Sequence, residues 1–191
     1  MIAAIIIAGG KARRFEGADK AMIIFNGKPL INHVIERISP QVGLIALNRP
    51  SPLNTYNFTN VPDLDDERCG PIGGLEAAIV WAHGLKDIPE YLLSIPVDTP
   101  FLPLNLVSKL LPAAKQYGAA IAQSSNQAQP TVSLHKLGHI SQQDIQSYKH
   151  KRFRDFWDHV GAQRINFNNE KDFININCPE DVKLYENENI K

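Results

Sequence analysis

Residues 2–8, Ile2-Ala3-Ala4-Ile5-Ile6-Ile7-Ala8, form an unbroken apolar run that stops at Gly9-Gly10. A strand built from such a run has no face to turn toward water. An antiparallel strand with one wet face would alternate polar and apolar residues. An unbroken run fits a parallel sheet covered on both sides. The run is too short to cross a bilayer and no basic residue precedes it, so neither a membrane span nor a secretory leader is expected.

Helical and extended patterns alternate after it. Pro29 opens a helix in which Leu30, Ile31, Val34, Ile35 and Ile38 recur at helical spacing, and Pro40 ends it. A short strand is expected at 43–47, followed by Asn48 and a Pro-rich loop. A helix at 72–83 ends at Gly84, and a strand at 91–95 is closed by Pro96-Val97-Asp98-Thr99-Pro100. Residues 104–117 read as a helix ending before Gly118. Further strands are expected at 119–122, 131–134, 165–167 and 173–177. Two helices are expected between 140 and 160, and a last one from Pro179. The polar stretch 123–129 reads as a loop and 186–191 as a frayed tail. This alternation predicts one α/β domain, 1–191, with a Rossmann-like, doubly wound, mostly parallel sheet.

Charge narrows the partners. Lys and Arg number 20 and Asp and Glu number 20, so no general basic field exists and nucleic acid is not expected as the main partner. Cys69 and Cys178 stand far apart with neither disulfide nor metal-ligand spacing, which points to a reducing, cytoplasmic setting. No Ser-His-Asp or Cys-His arrangement suggests a protein nucleophile.

The charged motif lies in the connection after the first strand, Gly9-Gly10-Lys11-Ala12-Arg13-Arg14-Phe15-Glu16-Gly17-Ala18-Asp19-Lys20. Two glycines after a buried strand let backbone approach a ligand, and N–H groups in such loops cradle phosphate oxygens. Lys11, Arg13, Arg14 and Lys20 add cationic donors, with arginine gripping phosphate bidentately and lysine acting as a point charge. No Gly-Lys-Ser/Thr follows and no Gly-x-Gly-x-x-Gly is present, so this is neither a Walker A loop nor a dinucleotide fingerprint. On composition alone a solvated basic loop is an equal reading.

The full string separates the two. Ala8-Gly9-Gly10 with Arg14, Gly17 and Asp19-Lys20 resembles the signature loop of nucleoside-triphosphate-dependent nucleotidyltransferases. Further matching blocks are Asn26-Gly27-Lys28-Pro29-Leu30, Gly70-Pro71-Ile72-Gly73-Gly74, Pro96-Val97-Asp98-Thr99-Pro100 and Asn175-Ile176-Asn177-Cys178-Pro179-Glu180. Together they span nearly the whole chain and resemble the molybdenum cofactor guanylyltransferases. The chain departs from the family at Ile7, where Leu is usual, and at Phe15-Glu16, which replaces Met-Gly and puts a negative charge into the loop.

The resemblance implies a sheet of the nucleotide-diphospho-sugar transferase type and a Mg²⁺-dependent reaction, with Mn²⁺ as the alternative ion. GMP would pass from GTP to molybdopterin with release of pyrophosphate. Other molybdenum cofactor biosynthesis proteins and recipient molybdoenzymes are the implied protein partners, and no membrane is. Ile7, Ala8, Gly9, Gly10, Lys20, Asn48, Asp63 and Asp98 fall on the nucleotide side. Arg14, Lys20 and Asp98 carry the transfer, and Asp98 is the metal ligand. Gly70, Asn175 and Asn177 fall on the acceptor side.

Several roles also have a local reading. Asp98 follows a strand, where ligands bind in open α/β sheets, but an Asp there also makes Asx turns. Asp63 has Asp65, Asp66 and Glu67 as neighbours, as a solvated acidic loop would. Gly70 opens a helix whose N-terminus attracts anions, and glycine also suits close packing there. In 173–177, Ile174 and Ile176 point one way and Asn175 and Asn177 the other, although Asn177 also stands where it could cap the last helix. Lys149, His150, Lys151, Arg152 and Arg154 read as a solvated helix end or as a contact to the acceptor. Trp81 and Trp157 read as core. Rival functions are a molybdenum cofactor cytidylyltransferase, a sugar-phosphate nucleotidyltransferase, and a non-catalytic GTP-binding adaptor. Gly10 after Ala8-Gly9 favours guanine over cytosine, and Asp98 favours catalysis over mere binding.

Overall fold

The structure, a computed structural model, describes residues 1–9, 11–65 and 70–186, with backbone alone at 11–13. The readings placed on Gly10, Asp66, Glu67, Cys69 and the tail beyond 186 fall outside the described residues.

The apolar run forms β1 (Ile2–Ile7). Ala3, Ala4, Ile5 and Ile6 are fully buried. Ala4 and Ile6 join one core, and Ala3 and Ile5 the other. The remaining strands of the main sheet are β2 (Leu44–Asn48), β3 (Thr59–Asn60), β4 (Tyr91–Pro96), β5 (Ala119–Ser124), β6 (Gln127–Lys136) and β7 (Gln163–Phe167). Among the described residues its order is β7-β5-β6-β4-β1-β2-β3. β6 is antiparallel to β4 and β5, and every other pairing is parallel.

Helices α1 (Leu30–Ile38), α2 (Pro71–His83), α3 (Leu106–Tyr117), α4 (Gln142–Tyr148), α5 (Phe153–His159) and α6 (Pro179–Tyr185) complete the fold. Ile31, Val34 and Ile38 of α1 share one core with Leu106, Val107 and Leu110 of α3. Leu75 and Ile79 of α2, Ile145 of α4, and Phe156 and Trp157 of α5 make the core on the other face. Trp81 is half-buried against that second core, so both tryptophans pack there. No helix among the described residues is long and apolar enough to cross a membrane.

The chain leaves β1 for β2 on one side and later returns to β4 on the other. A crevice therefore opens at the carboxyl ends between β1 and β4, the place where open α/β sheets bind ligands.

Two sequence expectations fail. The stretch 123–129 is not a loop, because β5 and β6 meet through Ser125 and Asn126 at φ 48° and 61°. Two successive left-handed residues give the tight turn whose twist matches paired strands. Asn26 and Gly27, at φ 45° and 74°, make the same turn between Ile24–Phe25 and Lys28–Pro29. The second failure is 173–177, which is not a strand. Phe173 ends a 3-10 turn (Glu170–Phe173), and 174–177 is extended without a ladder. This segment crosses the carboxyl edge of the sheet instead of joining it, touching it through the Ile176 N–H, which donates to the Asp98 carbonyl at 2.8 Å. In addition, α3 begins at Leu106 rather than at 104.

A third, small apolar cluster pins that edge. Phe25, Leu30, Phe101 and Ile176 are buried together, with Phe15, Ile23, Ile174, Val182 and Tyr185 packed against them. It clamps the loop after β1, the turn after β4 and the start of α6 onto one another.

Candidate active site

Three strand ends stand in register, with Ile7 opposite both Asn48 and Pro96. The Ala8 N–H donates to the Asn48 carbonyl at 2.9 Å, and the Val97 N–H to the Ile7 carbonyl at 3.1 Å. Ile7 and Ala8 thus extend the sheet beyond its strands. Gly9 is the first exposed residue of the loop. Among the described residues, a Cβ on Gly9 would come no closer than 3.6 Å, at Pro50, so their packing does not require glycine there.

The loop then folds back on itself, with Lys11–Ala12 paired to Ala18–Asp19. Glu16 and Gly17 turn it at φ 55° and 82°. Glu16 adopts a left-handed conformation that costs roughly 1–2 kcal/mol for a residue with a side chain. Phe15 anchors the turn in the small cluster.

Asp19 caps the turn Lys20–Met22 by accepting from the Ala21 N–H at 3.1 Å. Lys20 projects from that turn. Its Nζ lies 2.5 Å from Asp98 Oδ2 and donates to Asn177 Oδ1 at 2.8 Å. The Lys20 and Asp98 side chains retain 16% and 18% exposure, enough for a ligand to reach them. The Thr99 hydroxyl donates to Asn175 Oδ1 at 2.8 Å and lies 3.4 Å from Asp98 Oδ1. Lys20, Asp98, Asn175 and Asn177, spread over the chain, therefore meet at one point. The alternation in 174–177 holds without a ladder: Ile176 is buried while both asparagines face the crevice residues.

Asn177 does not cap α6 with its side chain. Asp181 does that work, accepting from the Asn177 and Cys178 N–H groups at 2.7 and 3.0 Å. Burial pushes the Asp181 carboxyl up. Hydrogen bonds from the Asn177 backbone and from the Cys178 thiol and backbone, with the nearby Arg14 charge, more than reverse this and hold it below its ordinary range. Arg14, exposed on the loop, is thereby placed beside the start of α6. Asp181 carried a readable signal, an acid three residues after the cap position. Thr99 and Arg49 carried none beyond their place next to Asp98 and Asn48.

On the far side of β1, Asn48 is only 3% exposed. Its Nδ2 donates to the Val61 carbonyl at 3.0 Å and to Asp63 Oδ1 at 2.8 Å. Both amide hydrogens are thus engaged within the protein. Asn48 fixes Asp63, which is itself exposed. A Cβ at Gly74 would stand 2.5 Å from Asn48 Oδ1, so the first turns of α2 close on Asn48 only because residue 74 is glycine. Gly70, one turn earlier at φ 61° and ψ −145°, begins α2 in a conformation open to glycine alone.

The basic cluster is not a solvated helix end throughout. Lys149 Nζ lies 2.5 Å from Asp65 and 3.5 Å from buried Glu76. Lys151 rests on the Tyr148 ring, 4.2 Å from its centre.

A family model described as "MobA-like NTP transferase domain" matches residues 4–160. A molybdenum cofactor guanylyltransferase of Yersinia pestis (strain Pestoides F) is 35% identical over 190 residues, covering 97% of this chain and 95% of its own. That of Yersinia pseudotuberculosis serotype IB (strain PB1/+) matches equally. This chain belongs to the MobA-like NTP transferase family. It is an enzyme of the nucleotidyltransferase class. Solved structures share the fold of this family member. Molybdopterin-guanine dinucleotide biosynthesis protein A from Archaeoglobus fulgidus has a TM-score of 0.73 at 20% identity, covering 97% of both chains. The 4-diphosphocytidyl-2C-methyl-D-erythritol synthase of Anaerococcus prevotii has a TM-score of 0.72 at 15% identity, covering 97% of this chain and 94% of its own.

Proposed function

We propose that this MobA-like enzyme transfers GMP from GTP to molybdenum-molybdopterin. An oxygen of the acceptor's phosphate attacks the α-phosphorus, the bond to the β-phosphate breaks, and pyrophosphate leaves. The observation that carries the reading is the meeting of Lys20, Asp98 and Asn177 at the β1–β4 crevice, in a chain 35% identical to guanylyltransferases over nearly its whole length. No protein nucleophile is needed. The chain must align two anions and neutralise charge that develops between them.

A magnesium-type ion fits Asp98. No group of three or more His, Cys, Asp or Glu side chains that could hold a metal gathers among the described residues. Mg²⁺ takes one or two carboxylates and completes its shell with phosphate oxygens and waters, so the single half-buried Asp98 suits it. Bound there, the ion would draw charge from the phosphates as a Lewis acid. In this structure the Lys20 ammonium rests on the same carboxylate, and in the working enzyme it turns to the phosphates. Gly9 admits the triphosphate close to backbone, and Arg14 grips it from the loop. Asp63, fixed by Asn48, accepts from guanine N1–H and its amino group. Adenine offers no such pair of donors and leaves the carboxylate unpaired. Asn175, Asn177 and Gly70 receive the acceptor.

A thermal-shift screen of the four nucleoside triphosphates with Mg²⁺ tests the reading. A ligand that binds only the folded chain stabilises it by about 2.7 kcal/mol at a hundred times its Kd. GTP is expected to give the largest shift, and pyrophosphate to appear only when acceptor is added. An equal shift with CTP would move the base assignment to cytosine.

A further inference from the structure

Arg49 directly follows Asn48 at the end of β2, and its side chain is only 9% exposed. Its Nη2 lies 2.7 Å from Asp19 Oδ2, and its Nε donates to the Ser51 carbonyl. The Arg49 carbonyl in turn accepts from Asn60 Nδ2 at 3.1 Å. Nη1 is buried and has no hydrogen-bond partner among the described residues. Stability does not account for this arrangement. A buried ion pair contributes little net free energy, because desolvation offsets the attraction, and the unpaired Nη1 adds a further cost.

The partner of Arg49 explains it better. Asp19 has two oxygens with two tasks: Oδ2 holds the guanidinium, while Oδ1 caps the turn Lys20–Met22. That turn is anchored below by Ala21, which is fully buried. One carboxylate therefore ties the rigid end of β2 to the backbone from which Lys20 projects. Lysine has a long flexible stem, so the position of its ammonium depends on how firmly its Cα is held.

We propose that the Arg49–Asp19 pair is a positioning strut that sets the Lys20 ammonium at the point where it meets the phosphates. Arg49 touches no reacting atom and acts through Asp19 and Lys20. The proposal rests on the role given to Lys20 above.

The test is a double-mutant cycle on the full chain, with kcat, KM for GTP, GTP affinity by calorimetry, and melting temperature read for each variant. A small misplacement of a catalytic group costs up to roughly 100-fold in rate, so R49M is expected to lower kcat roughly 10- to 100-fold while KM moves less than about threefold. In a K20A background the same substitution is expected to change kcat by less than about twofold, because the group it positions is gone. R49K restores part of the rate, since an ammonium still balances Asp19 but gives up the fork to Ser51. If R49M does not fold, D19N decides, because its carbonyl oxygen still accepts from Ala21 while the ion pair is lost. An equal fold-loss in the Lys20 and K20A backgrounds overturns the strut, as does a raised KM at constant kcat. A parent that binds GTP yet releases no pyrophosphate defeats the functional reading instead, and the cycle is then judged on GTP affinity, where the same non-additivity is required. A parent that binds no GTP defeats both.

Discussion

Two lysines in this molecule lie 2.5 Å from an aspartate oxygen, Lys20 on Asp98 and Lys149 on Asp65, yet they stand in different company. Lys20 faces one carboxylate and a neutral carboxamide at the β1–β4 crevice. Lys149 faces two carboxylates, Asp65 and Glu76, the second only 6% exposed on its side chain. Gln146 holds the other oxygen of Glu76 at 2.8 Å. The hydrogen bond to Asp65, aided by Glu76, raises the Lys149 pKa above its ordinary value and keeps it charged. Pair length therefore does not distinguish the lysine proposed to meet the phosphates from a structural one. What distinguishes them is the charge each must balance. Lys20 can leave Asp98 for a phosphate if a metal ion takes its place, whereas Lys149 cannot leave without abandoning a buried carboxylate in α2.

The largest expected effect breaks the first pair. Asp98→Asn keeps the shape of the site and removes the charge proposed to hold the metal. Turnover should fall at least about 100-fold with the melting temperature nearly unchanged. Near-normal pyrophosphate release at ordinary Mg²⁺ would show that Asp98 is not the metal ligand. Lys149→Met should do the reverse. It takes the Lys149 charge away from buried Glu76 and from Asp65, so the melting temperature should drop by several degrees while kcat of the folded fraction stays within about threefold of the parent. A Lys149→Met protein that melts normally but has lost turnover would make the two lysines alike and sink the contrast.

A smaller effect sharpens the side of the site proposed to meet the base. Gly74→Ala puts a methyl 2.5 Å from Asn48 Oδ1, and Asn48 is too buried to step aside. Overpacking of this kind costs about 1–3 kcal/mol. Because Asn48 holds Asp63, GTP affinity should fall together with stability. Calorimetry on the variant, compared with its urea midpoint, separates the two, and unaltered GTP affinity would remove Asp63 from base recognition.

Much of this was readable from the sequence, for reasons that differ by residue. The run at 2–8 announced a strand buried on both faces, and Pro29 and Pro40 bracketed α1, because apolar periodicity and proline act locally. The convergence of Lys20 and Asp98 was expected because each follows a predicted strand, and the carboxyl ends of parallel strands share one edge. The pairings around them were not legible. Nothing local tells that the Asn48 amide turns inward to Asp63, or that Lys149 finds Glu76, since these contacts depend on how α2 and α4 seat on the sheet. Ser125-Asn126 was misread because only a partner strand turns a polar pair into a hairpin. Residues 173–177 alternate as a strand would, yet 174–177 join no ladder, and the pattern serves a segment that crosses the carboxyl edge instead.

The limiting case of the contrast is a buried ionisable group with no partner among the described residues. His135 on β6 is fully buried between Leu92 and Ala119, its ring 6.0 Å from that of Trp157, and neither ring nitrogen has a hydrogen-bond partner among the described residues. Burial, with the charge of His139 adding, lowers its pKa from 6.5 to about 3. The sign follows from which state takes up the proton. Above pH 6.5 both states are neutral and His135 gives no pH dependence. Between pH 6.5 and about 3 the unfolded chain binds a proton that the folded chain refuses, so stability falls as pH falls, by at most about 1.4 kcal/mol per unit. His135→Leu removes that loss and the two unpaired nitrogens. At neutral pH the variant should be more stable by about 1 kcal/mol, with turnover unchanged. By pH 4 its advantage should have grown by up to about 3 kcal/mol. Asp144, Glu180 and Asp181, whose pKa values are also lowered, lose stability over much of the same range, but they do so equally in both proteins. The difference between the two urea-denaturation series, taken at pH 7 and pH 4, therefore reports His135 alone. A difference that stays constant with pH would mean that the folded protein protonates His135 as readily as the unfolded chain does, and that a buried group here does not need a partner to keep its charge.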